Sequence, residues 1–135
     1  MIIAAQPQEI HAAQKDLFEF LSDFNNYEHL MPEQIVNWSS DNDSCSFTIS
    51  GMLSLTLKFR EKTPYRQIDI VPDGKSPIRF VLRVILEESA PAPQQTTAKV
   101  EVDADLNPMM AMVAKKPLEN LVEMISEKLG EKFQN

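Results

Sequence analysis

The feature that most constrains the fold is an alternation of apolar and polar residues, which recurs in four stretches of the chain. Every second residue from 53 to 59 is leucine or phenylalanine, and the positions between them are polar. Residues 45–50, 78–87 and 98–105 show a similar pattern. Successive side chains of a strand point to opposite faces, so each stretch predicts a strand with one dry face. Strands that follow one another after short turns predict a meandering antiparallel sheet.

Shorter segments complete a predicted sheet of about six to seven strands. Residues 2–10 form an opening strand interrupted near Pro7, and residues 68–70 form another. Val36 and Trp38 are predicted to share one side of a further strand. The connecting turns are marked by glycine, proline or Asx residues: Asp41-Asn42-Asp43, Gly51, Pro72-Asp73-Gly74, Pro91 and Pro93.

Three helical segments flank the strands. The three-to-four spacing of apolar residues predicts an amphipathic helix over 14–24, followed by a short helix or turn over 27–31. Asn107 and Pro108 suit the cap and first turn of a long C-terminal helix. Pro117 removes one backbone hydrogen bond inside it and predicts a kink. The apolar stripe of this helix comprises Leu118, Leu121, Val122, Ile125, Leu129 and Phe133.

Composition limits the classes of partner. The 135 residues suit one domain, 1–135, and the formal net charge of −7 disfavours nucleic acid and anionic membrane surfaces as general partners. The only short basic clusters, Lys115-Lys116 and Lys58 with Arg60, are interpreted as solvated faces. No apolar stretch approaches a membrane span, so we expect no membrane insertion. A single cysteine, Cys45, excludes an intramolecular disulfide and favours a cytoplasmic protein.

The order of these elements, a strand, short helices, a run of strands and a long helix, is that of the helix-grip fold. The chain resembles the START-like, or SRPBCC, superfamily, which includes polyketide cyclases and lipid-transfer domains. The residues that carry the resemblance are Ile10-x-Ala12, Leu17-Phe18-x-x-Leu21-Ser22-Asp23, Tyr27-x-x-Leu30-Met31-Pro32 and Trp38. Residues 105–110 and 115–118 resemble a small single-domain bacterial branch whose members mostly lack an assigned function. The resemblance implies an α+β fold, in which a curved sheet wraps around the C-terminal helix and encloses a cavity for a hydrophobic molecule.

Neither histidine has a neighbour in the sequence that suggests catalysis. The resemblance places His29 near the cavity mouth, where acid/base chemistry is conceivable. A loop histidine is the favoured interpretation, because no Cys, Ser or carboxylate partner is suggested by spacing. His11 is interpreted as structural. Cys45 lies in an apolar row and is interpreted as a buried, inert thiol.

No metal or cofactor motif stands out. Residues 41–44 begin like a calcium loop but lack its later glycine and glutamate, so a turn is expected. Asp103 and Asp105 alternate with a dry row and are expected to face solvent. The three glycines are isolated and form no phosphate-binding loop. We therefore predict neither a metal nor a cofactor.

The sequence thus favours non-catalytic binding or transport of a small hydrophobic molecule between the sheet and the C-terminal helix. One alternative is a protein-interaction module with a filled cavity and an unidentified partner. A less favoured alternative is a cyclase- or hydrolase-like enzyme. The predicted ligand-facing residues are Phe47, Ile49, Leu55, Leu57, Phe80, Leu82, Val100, Met109, Met112 and Val113.

Overall fold

The computed structural model of the chain describes residues 1–49, 53–74, 76, 78–89 and 94–133. Within these residues the chain forms eight strands, two α-helices and two short 3₁₀ helices. In chain order they are β1 (Ile2–Ala4), β2 (Gln8–Ile10), α1 (Gln14–Leu21), 3₁₀ helices at Phe24–Asn26 and Glu28–Leu30, β3 (Ile35–Ser40), β4 (Ser44–Ile49), β5 (Leu53–Thr63), β6 (Gln67–Pro72), β7 (Arg79–Glu88), β8 (Thr96–Asp105) and α2 (Pro108–Lys132). The bend expected at Gly51 and the loop expected at Pro91 and Pro93 lie outside the described residues.

The strands form one antiparallel sheet in the order β1-β8-β7-β6-β5-β4-β3, and β2 also pairs with β8. The opening segment divides near Pro7, as expected, so the sheet has eight strands and not six or seven. Ile3 lies opposite Val102, and Glu9 lies opposite Thr97 further along the same strand. Together with the long C-terminal helix, this confirms the α+β, helix-grip architecture.

The core lies between the inner face of the sheet and α2. The alternating rows predicted from the sequence are buried, as shown by Val84 and Val100, which are fully inaccessible on neighbouring strands. The stripe on the second half of α2 is buried against β8, β1 and β2. The two elements therefore cover each other's apolar faces, which would otherwise form a continuous exposed apolar patch.

The prediction that Val36 and Trp38 share one side of β3 is wrong. The pairing of β3 with β4 shifts register between Val36 and Ser39, and Asn37 has a φ of 58°. Such a bulge inserts an extra residue and reverses the side to which the following residues point. Trp38 and Ile35 consequently pack on the core, whereas Val36 is 45% exposed.

The first helix is shorter than its periodicity predicts. It ends at Leu21, where the Ser22 hydroxyl donates to the Phe18 carbonyl oxygen over 2.6 Å. The Asp23 carboxylate then accepts from the Asn25 backbone N–H and caps the next 3₁₀ helix. Phe24 keeps the apolar spacing and is buried, but it belongs to that second element. An Asx cap therefore divides a continuous apolar pattern into two helices.

The C-terminal helix begins as predicted. The Asn107 side-chain oxygen accepts from the Met110 backbone N–H over 2.8 Å, and Pro108 occupies the first turn. The helix has 25 residues, which corresponds to roughly 37 Å. Pro117 lies inside it and leaves it one continuous element. Among the described residues, no helix is both long enough and apolar enough to cross a membrane.

Candidate functional site

An apolar cleft lies between the first half of α2 and the adjoining ends of β4 and β5. Its volume is about 300 Å³, and one side is open to solvent. The sheet side and the helix side both contribute to its walls. The residues that line it are Ile49, Leu53, Ser54, Met110, Val113, Ala114 and Pro117.

The cleft exists because the two halves of α2 are buried to different degrees. In the second half, the stripe that begins at Leu118 is packed into the core. In residues 108–117, only Ala114 is buried. Pro117 separates the two halves and has no N–H with which to bond the Val113 carbonyl oxygen. The first half of the helix borders the end of the sheet, and the cleft lies between the two.

The structure divides the predicted ligand-facing residues into three groups. Those on the strands are all buried, with at most 5% of each exposed, and of these only Ile49 lines the cleft. Val113 lines the cleft from the helix and is 52% exposed. Met109 and Met112 point outward, with exposures of 78% and 86%, and do not line it. The buried strand residues are Phe47, Ile49, Leu55, Leu57, Phe80, Leu82 and Val100.

Five lining residues were absent from the predicted set: Leu53, Ser54, Met110, Ala114 and Pro117. The sequence did contain a signal for the helix positions. Extending the buried stripe backwards from Leu118 by four residues reaches Ala114, and four more reach Met110. Helix phase therefore selects Met110 as the inward methionine, and Met109 and Met112 lie on other faces.

The described walls carry one side chain with hydrogen-bonding groups. The Ser54 hydroxyl lies 3.1 Å from the Thr48 hydroxyl on the neighbouring strand, and either can be the donor. None of the described lining residues ionises in water. These described side chains can therefore desolvate an apolar molecule and offer one hydroxyl to orient it, and no two of them form an acid/base pair.

The other candidate groups lie away from this cleft. Cys45 is buried, and burial raises the pKa of its thiol to about 12, which supports the interpretation of an inert thiol. His11 is exposed, with Nδ1 3.3 Å from the Gln95 amide nitrogen. His29 is also exposed and lines a second cleft of about 320 Å³ near the end of α2, together with Lys128 and Lys132.

The carboxylates have structural partners. Asp41 Oδ1 accepts from the backbone N–H groups of Asp43 and Ser44, each over 2.8 Å, and these bonds lower the pKa of Asp41. The expected turn is therefore confirmed. Asp103 lies 3.5 Å from the guanidinium of Arg83. Over the ranges that the structure describes, no three His, Cys, Asp or Glu side chains are grouped to hold a metal ion.

A row of ion pairs with buried carboxylates crosses the outer face of the sheet and was not predicted. Asp69 is paired with Arg60 at 2.8 Å, and Glu101 with Arg83 at 2.9 Å. Asp69 and Glu101 are only 5% and 8% exposed. Strand register brings these residues together, because Arg83 lies opposite both Asp69 and Glu101 on the neighbouring strands.

Together these features define a helix-grip protein with an apolar cleft beneath the first half of its C-terminal helix. Solved structures show the same fold over nearly the whole chain. A START superfamily protein from Mycobacterium smegmatis is 15% identical, with 98% of this chain and 99% of that one covered and a TM-score of 0.68. The fold is therefore START-like.

Two further structures with this fold have names that denote particular proteins. Norcoclaurine synthase from Thalictrum flavum is 10% identical, with 98% of this chain and 85% of that chain covered and a TM-score of 0.70. The di-domain ARO/CYC BexL of the BE-7585A biosynthetic pathway is 8% identical, with 97% of this chain covered, 45% of that chain covered and a TM-score of 0.69. No protein-family model matches the chain, and no curated protein matches its sequence.

Proposed function

We propose that this protein binds a small hydrophobic molecule, without catalysing a reaction, in the cleft between β4, β5 and the first half of α2. The observation that carries the proposal is the lining of the cleft. Six of its seven described lining residues are apolar, and the seventh is Ser54. Affinity would come from burial of apolar surface, at about 25 cal/mol per Å².

The size of the cleft limits the ligand. Small-molecule sites typically measure roughly 300–1,000 Å³, and this cleft of about 300 Å³ lies at the lower end of that range. A compact, uncharged ligand with at most one polar group near Ser54 suits the walls. A charged ligand would lose hydration there without gaining an ionic partner from the described walls.

An enzyme of the cyclase or hydrolase type is less well supported. Two proteins of the same fold are named as a synthase and an ARO/CYC protein. Acid/base catalysis in this cleft would require an ionisable side chain within reach of the ligand. Among the described lining residues only Ser54 carries a hydroxyl, and its hydrogen-bond partner Thr48 does not line the cleft. Binding is therefore the function that we propose.

A protein-interaction module is the second candidate, and one observation favours it. Most of the predicted ligand-facing wall is packed into the core, so the interior between the sheet and the second half of α2 is filled. A filled interior leaves the outer surface as the site of function. For either function we propose a cytoplasmic location, because the single cysteine is a free, buried thiol.

A pair of matched substitutions tests the proposal. Val113→Phe places a ring in the cleft mouth at a half-exposed position, so we expect almost unchanged stability and reduced uptake of Nile red, an uncharged apolar fluorophore. Val100→Phe makes the same change in the closed core. It should lower the free energy of unfolding by roughly 1–3 kcal/mol and leave Nile red uptake by the folded fraction unchanged.

Urea unfolding and a Nile red titration of each variant provide the two measurements. A wild-type chain that takes up no Nile red would overturn the ligand proposal. If Val113→Phe were also as destabilising as Val100→Phe, the cleft would be closed in solution. The interaction module would then replace ligand binding as the favoured function.

A further inference from the structure

The first half of α2 exposes a continuous apolar stripe on the side away from the core. Met109 and Met112 are 78% and 86% exposed, and Val113 is 52% exposed. Together with Lys116, these residues have the spacing i, i+3, i+4 and i+7 of one helix face. At 100° per residue this face lies beside the residues that line the cleft, and Val113 belongs to both. The apolar surface therefore continues from the cleft onto the outside of the helix.

Charge is distributed unevenly around this stripe. The whole chain has a net charge of −7, yet residues 106–118 contain two lysines and no aspartate or glutamate. Lys115 lies 3.9 Å from Glu119, the first carboxylate that follows. Lys116 forms no ion pair within the described part of the chain and lies on the stripe itself. The segment between Asp105 and Glu119 is thus apolar and basic on an otherwise acidic protein.

A second copy of the chain fits this surface poorly. Stable protein interfaces involve roughly 20–30 residues from each partner, whereas the stripe offers three apolar side chains. A symmetric contact places the same patch on both sides. Such a contact would bring the Lys116 ammonium groups of both copies into one small apolar patch, where each would lose hydration without an ionic partner on the stripe.

A lipid bilayer requires neither a large interface nor a second copy of the same patch. A helix with an apolar face and flanking lysines lies in the plane of the headgroups, with its apolar side chains about 5–10 Å deep. Unbranched methionine side chains adapt to such a fluid surface. Each lysine near anionic headgroups strengthens binding by about fivefold, and a segment without carboxylates avoids the opposing repulsion.

We propose that residues 108–117 of α2 form a contact surface for a bilayer that contains anionic phospholipid. The contact is peripheral and involves two to three turns of the helix. It does not depend on the cleft being a ligand site. If the cleft binds a ligand and the helix contacts a bilayer, Val113 places the cleft mouth at the headgroup level, next to a reservoir of hydrophobic molecules.

The test is flotation of the full chain with vesicles of phosphatidylcholine and phosphatidylglycerol in equal parts. Met112→Glu removes an apolar contact and adds a carboxylate, so the partition constant should fall by about tenfold or more. The new glutamate lies four residues before Lys116, which keeps the helix stable. Lys116→Gln should reduce binding by about fivefold. Val36→Glu is the matched control, because Val36 is also an exposed apolar residue but lies on β3; it should leave binding unchanged.

Glu119→Gln should change vesicle binding in the opposite direction from Lys116→Gln. It removes the nearest following carboxylate and frees Lys115, so vesicle binding should increase. Absence of vesicle binding by the wild-type chain, or equal losses for Met112→Glu and Val36→Glu, would overturn the proposal. So would a dimer in sedimentation equilibrium that Met112→Glu dissociates, because a second copy would then cover the stripe. Nile red uptake is measured without vesicles, so a failure here is distinct from a failure of the ligand proposal.

Discussion

The indole ring of Trp38 is stacked on the phenyl ring of Phe47, with ring centroids 5.6 Å apart and planes inclined by 12°. The indole N–H donates to the Ser40 hydroxyl, which in turn donates to the Asn25 side-chain oxygen. This arrangement joins β3 and β4 to the 3₁₀ helix that follows α1. It also places the only tryptophan of the chain beside the inner face of the sheet. On β4, Phe47 lies two residues before the cleft residue Ile49.

Loss of the Phe47 ring should destabilise the fold strongly. Phe47→Ala removes a buried ring, and aromatic-to-alanine changes in cores cost roughly 3–5 kcal/mol. The emission of folded Trp38 should shift to longer wavelength as water reaches its exposed face. Urea unfolding followed by fluorescence measures both effects. Val36→Ala is the control, and an equal loss of stability in both variants would contradict this account.

The left-handed backbone at Asn37 predicts that glycine is tolerated at this position better than a β-branched residue. With φ at 58°, a β-branched side chain is strained by roughly 1–2 kcal/mol, whereas glycine is not. Asn37→Val should therefore lower the free energy of unfolding, and Asn37→Gly should leave it nearly unchanged. A valine variant as stable as the wild type would show that the bulge is absent in solution.

Asp69 should make the fold sensitive to acid. Burial alone would raise its pKa, but hydrogen bonds from Gln67 and Arg60 and the charge of Arg60 outweigh it, so the pKa is lowered. A lowered folded-state pKa means that the ionised carboxylate stabilises the fold above its unfolded pKa of about 3.9. That contribution is lost as the pH falls through the folded-state pKa.

We therefore expect the wild type to be more stable than Asp69→Asn at neutral pH, with a difference that shrinks below about pH 4. Urea unfolding at a series of pH values measures this difference. Asp16→Asn, at an exposed position of α1, is the control. A stability difference for Asp69→Asn that is independent of pH would contradict the expectation.

Cys45 should be unreactive in the folded chain. Burial raises the pKa of its thiol to about 12, so almost no thiolate exists at pH 8, and the residue as a whole is only 2% exposed. Ellman's reagent should react negligibly with native protein and with one thiol per chain in urea. Rapid stoichiometric reaction of the native protein would refute the placement of Cys45 in the core.

Several features were determined by the sequence alone, because they depend on local geometry. Strand alternation predicted which rows are buried, as Phe80 and Leu82 on β7 show. The cap at Asn107 and the turn at Gly74, whose φ is 76°, follow from side-chain chemistry and backbone freedom at single positions. Burial of Cys45 followed from its place in an apolar row.

Other features were decided only by the tertiary structure, because they depend on how distant elements are placed. The bulge at Asn37 places Val36 and Trp38 on opposite sides of β3, and the alternation of residues in the sequence does not reveal the extra residue. The ion pair of Arg83 with Glu101 joins residues 18 apart through strand register. The position of α2 on the sheet decided that the helix face carrying Met110, which helix phase already aligns with Leu118, borders an open cleft and not a sealed core. Sequence periodicity orders residues around a helix, but only the packing of its buried half decides which remaining face meets a cleft and which meets solvent.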